Sequence, residues 1–322
     1  MITQFRKSVL AILYMVGGIL LLSLSSAIIR LLSSSYPINQ IVIFRTIFGL
    51  VVVILFSWLI LKQNFWRTQQ PMLHFWRSIL GIFAMGAYFI SLYLLPLADV
   101  AALTMTDAIF IALLSSYFLK EKNDYRYWLV IFLGFAGVVI IARPGFSVFN
   151  PASLIAVFVG FLTAISMMVI SKMAKTETFG CINFYCWLVL LFVSVGLIPW
   201  QWWTSESFFV KQGYIGWQPI GTTDWLLLIA TSLCTAISNL LITQSYRMGR
   251  ASLVSPFGYL DLPFSALLGF LWLQEKIDIF LVVGGAAIIL SGLGLIYWEK
   301  QRDAKELEDK EPQEALQQSP AS

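Results

Sequence analysis

Three charged side chains, Arg45, Asp107 and Asp261, stand inside runs of apolar residues. At the centre of a bilayer such a group costs about 2.5–3.5 kcal/mol on insertion scales, so each needs a partner or a task. A guanidinium holds an anionic group through its planar fork. A buried carboxylate carries a proton or neutralises a cation. Two readings follow: Arg45 pairs with one aspartate and merely holds helices together, or at least one of the three lines a solute path. At helical spacing Asp107 shares its face with Thr104, Ile111 and Ser115, and Asp261 with Gly258, Ser265 and Gly269. Small and polar neighbours suit a cavity wall, although they also let helices pack closely. Pro256 and Pro263 flank Asp261 and remove backbone donors, which makes their helix a candidate hinge. Tyr88, Ser91 and Tyr93 in one segment, and Asn239, Thr243 and Gln244 in another, suit a lining or interhelical hydrogen bonds. The candidate path is therefore Arg45, Asp107, Asp261, Tyr88, Thr104, Asn239, Gln244 and Ser265, with Pro256 and Pro263 as its hinge.

Other chemistries find few residues. Cys181, Cys186 and Cys234 lie in apolar segments without metal-ligand spacing and read as small buried hydrophobes. The single histidine, His74, has no His, Cys or carboxylate cluster beside it, so neither a metal nor a nucleophile–base pair is expected. That argues against an intramembrane enzyme. A receptor or scaffold would be expected to carry a sizeable soluble domain. No glycine-rich phosphate loop occurs, which argues against ATP as an energy source. No cofactor is expected, and no nucleic acid either, because the basic residues are spread over short loops.

The elements that must position these residues are membrane helices. Of 322 residues, 59% are apolar and 12% charged, with a mean hydropathy of +0.81; a soluble domain carries about 25% charged residues. Apolar runs at 9–30, 39–61, 73–95, 99–119, 127–143, 151–172, 181–202, 224–246, 251–273 and 279–298 predict ten transmembrane helices in an all-α membrane protein. The first run follows Arg6 and Lys7 like a secretory signal, but it exceeds the roughly 7–15 apolar residues of one and is read as a retained helix. Trp200, Trp202 and Trp203 read as an interfacial belt. Gly160/Ala164, Ala108/Ala112 and Ala287/Ser291 read as packing pairs. Residues 299–322 carry seven acidic and four basic residues and are expected to form a disordered cytoplasmic tail. With the N-terminus inside, sixteen Lys and Arg fall on the cytoplasmic side against four outside. Both termini are therefore expected in the cytoplasm.

The chain also repeats itself. At an offset of 154, the eighteen positions from 107 to 124 contain nine identities, and four of these are charged: Asp107/Asp261, Glu121/Glu275, Lys122/Lys276 and Asp124/Asp278. The Glu-Lys pairs mark helix ends at the membrane surface. The two halves, 1–145 and 150–298, hold five expected helices each. Five is odd, so the halves enter the membrane from opposite sides. Inverted repeats of this kind characterise secondary transporters, with the substrate site near the midplane between them.

Leu95-Pro96-Leu97-Ala98 opens the fourth expected helix, Phe118-Leu119-Lys120-Glu121-Lys122 closes it, and Trp272-Leu273-Gln274-Glu275-Lys276 closes the ninth. On these residues the chain resembles the drug/metabolite transporter superfamily, in its ten-helix form built from two EamA repeats. The familiar close has Gly before the Glu; Lys120 and Gln274 stand there instead. The resemblance spans about residues 10–298 and implies a multi-pass transporter in the lipid bilayer of a bacterial inner membrane. Relatives move amino acids, nucleoside-like metabolites such as S-adenosylmethionine, vitamins or toxic compounds. The expectation is a secondary transporter of a small organic solute, amino-acid-like or S-adenosylmethionine-like, with protons as the candidate coupling ion. Efflux of drugs or toxic metabolites is the alternative, and a non-transporting receptor or scaffold stands further off.

Overall fold

In a computed structural model of the chain, the described residues are 2–60, 62, 64–95, 97–118, 121, 124–143, 151–196, 217–273 and 278–308. Among them the ordered elements are helices, and no strand occurs. The first half holds α1 (Ile2–Leu32), α2 (Ile38–Leu55), α3 (Pro71–Leu94), α4 (Leu97–Thr104), α5 (Asp107–Phe118) and α6 (Tyr125–Ala142). The second half holds α7 (Ser153–Met173), α8 (Phe179–Gly196), α9 (Thr222–Met248), α10 (Ala251–Val254), α11 (Asp261–Leu273) and α12 (Ile279–Glu308). Eight segments of the described residues are long and apolar enough to cross a membrane: Arg6–Leu32, Asn39–Leu59, Asp99–Phe118, Tyr125–Ala142, Ser153–Met173, Thr222–Met248, Ala251–Trp272 and Ile279–Arg302. Helix α3 and the shorter apolar α8 occupy the third and seventh expected spans.

Local chemistry explains several helix ends. Pro71 opens α3, where its missing N–H leaves no helical bond unmade. Asp124 caps α6 by accepting from the Tyr125 amide at 2.7 Å. Asp278, its counterpart in the repeat, caps α12 by accepting from the Leu281 amide at 2.9 Å. Between α1 and α2, the Tyr36 hydroxyl donates to Asp224 at 2.6 Å and accepts from the Gly221 amide at 3.0 Å, pinning the turn to the start of α9.

Two sequence expectations change. The polar tail expected from residue 299 is helical at its start: α12 continues through Glu308, and Glu299 is buried within the bundle. The fourth expected span, 99–119, is not one helix: α4 stops at Thr104 and α5 begins at Asp107. The Trp200, Trp202 and Trp203 belt lies outside the described residues, as do Lys122, Glu275 and Lys276.

The halves pack crosswise. Helix α1 lies along α9 and also touches α11, while α7 lies along α3 and also touches α5. Helix α6 pairs with α12, and α2 with α8 and α9. Without water to drive them together, membrane helices associate through close approach and hydrogen bonds. Both occur. Ser25 Oγ sits 2.5 Å from Thr231 Oγ1 and 2.7 Å from Thr235 Oγ1 across the α1–α9 seam, and Ser238 Oγ donates to the Gly18 carbonyl at 2.7 Å. At the α6–α12 seam a Cβ on Gly137 would stand 2.6 Å from the Gly284 carbonyl oxygen, and the reverse holds equally, so neither position admits a side chain. Ser291 there donates to the Val130 carbonyl at 2.7 Å, consistent with its reading as a packing residue.

Candidate functional site

Both deep aspartates begin a half-helix. Ala251–Val254 is α-helical, Ser255–Leu260 is a 3-10 segment with Pro256 in its first turn, and Asp261 then opens α11. Asp107 opens α5 in the same way after the turn at Met105 and Thr106. The cause differs. Pro256 removes an amide from the ninth span, as its sequence announces. No proline marks the fourth; there Thr104 Oγ1 reaches the Val100 carbonyl at 2.8 Å and Thr106 Oγ1 donates to the Leu103 carbonyl at 2.6 Å. Hydroxyls that engage nearby carbonyls compete with the helical ladder. Helix α7 seats against this turn through Gly160, where a Cβ would stand 2.7 Å from Thr106 Oγ1 and 2.9 Å from the Thr104 carbonyl.

The two interruptions meet. Ala108, buried together with Tyr259, Val138 and Ile288, has Met105, Leu260 and Leu262 packed around it. Met105 and Ala108 correspond to Tyr259 and Leu262 at the repeat offset, so equivalent residues of the two halves share one cluster. At Asp261 the amide bonds the Gly258 carbonyl, so the backbone stays helical through the ninth-span interruption and changes pitch there.

The surroundings of the aspartates differ. Asp261 Oδ1 accepts from Ser23 Oγ of α1 at 2.6 Å and from Ser265 Oγ at 3.4 Å. A side chain on Gly258, one turn before it, would meet nothing within 4 Å. Asp107 stands at the start of α5 beside the buried Ala108, in the span whose cluster includes Tyr259. The Tyr259 hydroxyl is buried without a hydrogen-bond partner among the described residues.

Of the residues expected in a path, Ser265 joins Asp261 directly, and Thr104 sits at the turn ahead of Asp107 but turns its hydroxyl to its own backbone. The break between them removes the continuous helical face assumed for Thr104 and Asp107. Tyr88 packs beside the cluster of Leu95, Val100 and Ala156. Asn239 and Gln244 are half-buried on α9. Arg45 on α2 pairs with neither aspartate: no ion pair involves it among the described residues, and its Nε is buried without a partner. Pro256 is buried at the interruption, whereas Pro263 falls in the first turn of α11, where a missing amide matters little. Tyr93 lies outside the residues whose side chains are described.

Sequence reading missed several groups. Asp99, fully buried in the first turn of α4, is a further deep carboxylate. Ser23 carried no signal beyond a hydroxyl in an apolar run. Glu121, expected to mark a helix end, instead accepts from the amides of Ala251 and Ser252 at 3.1 Å each, joining the end of α5 to the start of α10. Beside it Arg250 lies 3.9 Å from Glu121 and 3.5 Å from Glu299, which also accepts from Arg302 at 2.9 Å and from Ser8 at 3.2 Å. This network ties α1, α5, α10 and α12 at one end of the bundle. His74, isolated in sequence, meets Glu177 and Cys181 in space. A cavity of about 150 Å³ between α3, α7 and α8 is lined by Arg77, Ser166 and Cys186 among others and contains none of the expected path residues.

Residues 9–143 and 150–298 each match the model of the EamA-like transporter family. A riboflavin transporter of Vibrio cholerae is 30% identical over 245 residues, covering 74% of this chain and 76% of its own. An S-adenosylmethionine uptake transporter of Rickettsia conorii is 25% identical over 294 residues, covering 89% of this chain and 95% of its own. The pseudopaline exporter CntI of Pseudomonas aeruginosa is 24% identical over 277 residues, covering 85% and 91%. A solved crystal structure, 18% identical, aligns with a TM-score of 0.74 over 90% of this chain and 98% of its own; that likeness is one of fold alone.

Proposed function

The chain belongs to the EamA-like transporter family and is a membrane transporter of small metabolites, and from that premise we propose that its solute carries charges of both signs and moves past the two interrupted helices. The observation that carries this reading is the meeting of two interrupted spans, each with an aspartate at the interruption, at one shared cluster. Interrupted helices at a repeat interface are where transporters build solute sites. Asp107 and Asp261 take the cationic group or a proton, and Arg45, whose Nε is unengaged, takes the anionic group. An amino acid joined to a cationic centre fits, and the S-adenosylmethionine carried by the Rickettsia relative is such a solute.

We further propose ten transmembrane helices in two inverted five-helix repeats, in the bacterial inner membrane with both termini cytoplasmic. The crosswise packing supports this: α1 with α9 and α11 answers α7 with α3 and α5, as a two-fold axis between the halves requires. Cysteines placed at Gly213 and Gln317 label from opposite faces on this reading. Labelling of both from outside overturns the helix count.

The test of the solute class uses purified full-length protein in proteoliposomes, offered radiolabelled S-adenosylmethionine, riboflavin and a set of amino acids, with and without a pH gradient. Saturable movement of a zwitterionic or cationic amino-acid-like solute, faster under the gradient, is the expected result. Movement of uncharged solutes alone leaves the family standing and removes the role given to the charged trio.

A further inference from the structure

We infer that His74, Glu177 and Cys181 form a zinc-type metal site that ties the two halves of the chain together. His74 lies in the first turns of α3, Glu177 in the connection after α7, and Cys181 in the first turn of α8. His74 and Cys181 are 107 positions apart, which is why sequence spacing hides the group. One ligand atom from each lies within 4.8 Å of those from the other two, and all three residues are buried. Sγ of Cys181 stands 3.8 Å from Nε2 of His74, and that nitrogen stands 4.0 Å from Oε1 of Glu177. Zinc–sulfur and zinc–nitrogen bonds of about 2.3 and 2.0 Å at a tetrahedral angle set sulfur and nitrogen about 3.5 Å apart. The sulfur–nitrogen gap closes with a shift of a few tenths of an ångström, and the 4.0 Å nitrogen–oxygen gap with about 0.7 Å, since two bonds of about 2.0 Å at that angle set those atoms about 3.3 Å apart.

Two observations separate this cluster from an ordinary packed core. Glu177 is a buried carboxylate, 3% exposed, yet no Lys or Arg pairs with it among the described residues. Glu299, equally buried, lies between two guanidinium groups. Buried charges are paired or bind metal; hydrogen bonds already stabilise the Glu177 carboxylate, and a divalent cation adds the full positive charge that no Lys or Arg supplies. The carboxylate is also held in place: Oε1 accepts from Thr68 Oγ1 at 2.7 Å and from the amides of Gln69 and Gln70 at 2.7 and 2.8 Å, which leaves Oε2, without a hydrogen bond among the described residues, as the oxygen to face a metal. Outer hydrogen bonds of this kind orient metal ligands. The donor set decides the ion. Imidazole nitrogen, carboxylate oxygen and thiolate sulfur together suit zinc, whereas magnesium and calcium take oxygen ligands. Three protein ligands leave a fourth position for water. Because His74 and its flanking loop belong to the first half and Glu177 and Cys181 to the second, metal clamps the connection before α3 to the start of α8.

The experiment titrates purified full-length protein with zinc, and with cobalt(II) as an optical probe. One ion per chain is expected, with sulfur-to-cobalt charge-transfer absorption and a zinc-dependent rise in melting temperature. Cys181→Ser should weaken zinc binding by more than about 100-fold, beyond the 10–100-fold that outer partners contribute, while Cys186→Ser and Cys234→Ser keep it. Should Cys181→Ser fail to fold, X-ray absorption on the unaltered protein decides instead: a single sulfur neighbour at about 2.3 Å from zinc supports the site. Substoichiometric zinc, a sulfur-free shell, or binding unchanged by Cys181→Ser overturns it.

Discussion

Ser23 holds Asp261 across the α1–α11 contact, its hydroxyl 2.6 Å from Oδ1, and the same hydroxyl lies 3.0 Å from the carbonyl of Ile19 in its own helix. A hydroxyl has one proton to give. It bonds the carboxylate in this arrangement and has a ready second acceptor when Asp261 changes state. Ser23→Ala should therefore leave folding nearly intact, removing about 1.5–3 kcal/mol of interaction with the charged acceptor, and should slow transport more than it lowers protein yield. Unchanged transport in Ser23→Ala proteoliposomes would show that this bond is no more than local packing.

The network around Glu299 makes a stability prediction. Removing one member of a buried ion pair costs about 3–5 kcal/mol because the remaining charge is left without compensation. Glu299→Gln removes the buried carboxylate between Arg250 and Arg302, leaving Arg250 only its longer contact with Glu121, and its melting temperature in detergent should fall clearly below that of the parent protein. Glu121→Gln should cost less, since a side-chain oxygen remains to accept from Ala251 or Ser252. Truncation after Arg302 keeps the whole network and should preserve transport; truncation before Glu299 should not.

Tyr36 predicts a pH effect. Its hydroxyl donates to Asp224, and that hydrogen bond, the largest influence on it, raises the phenol above its ordinary value near 10. The group titrates higher in the folded than in the unfolded chain. Its contribution is therefore complete below the ordinary phenol value and is lost as pH rises through the raised one. Melting curves of the parent protein and Tyr36→Phe should differ at neutral pH and converge well above pH 10. A constant difference across the alkaline range would contradict the assignment.

How much of this was legible beforehand depends on whether the signal was local. The repeat placed Asp107 with Asp261 and Asp124 with Asp278, and the latter pair proved to be two helix caps. Pro256 announced the interruption of the ninth span. The interruption of the fourth was hidden, because it rests on Thr104 and Thr106 turning to their own backbone, a choice that the sequence Thr-Met-Thr permits without requiring. The Arg45–aspartate pairing failed for a different reason: opposite charges in apolar helices suggest a partner, but Asp261 found the hydroxyls of Ser23 and Ser265 instead. His74 with Glu177, and Glu121 with Ala251, join residues more than a hundred positions apart, which only packing brings together.

The last prediction concerns which aspartate couples transport to protons. Both stand at the interruption of their span, so position along the helix does not separate them. Their access does. Beside Asp261 the Gly258 position faces open space, and Ser23 has an alternative acceptor, so the carboxylate can exchange its partners. Asp107 has the buried Ala108 next to it and the buried Ile111 and Ala112 on the following turn. Proton loading from one face and release to the other requires that hydration change as the cavity opens, and Asp261 has the freedom for it. Asp261→Asn should abolish acceleration by a pH gradient while solute exchange at equal pH survives. Asp107→Asn should keep the gradient response and lose chiefly stability or solute affinity. If Asp261→Asn still concentrates solute with normal pH dependence, the coupling role falls. If Asp107→Asn alone loses that dependence, the proton travels with the first half of the repeat.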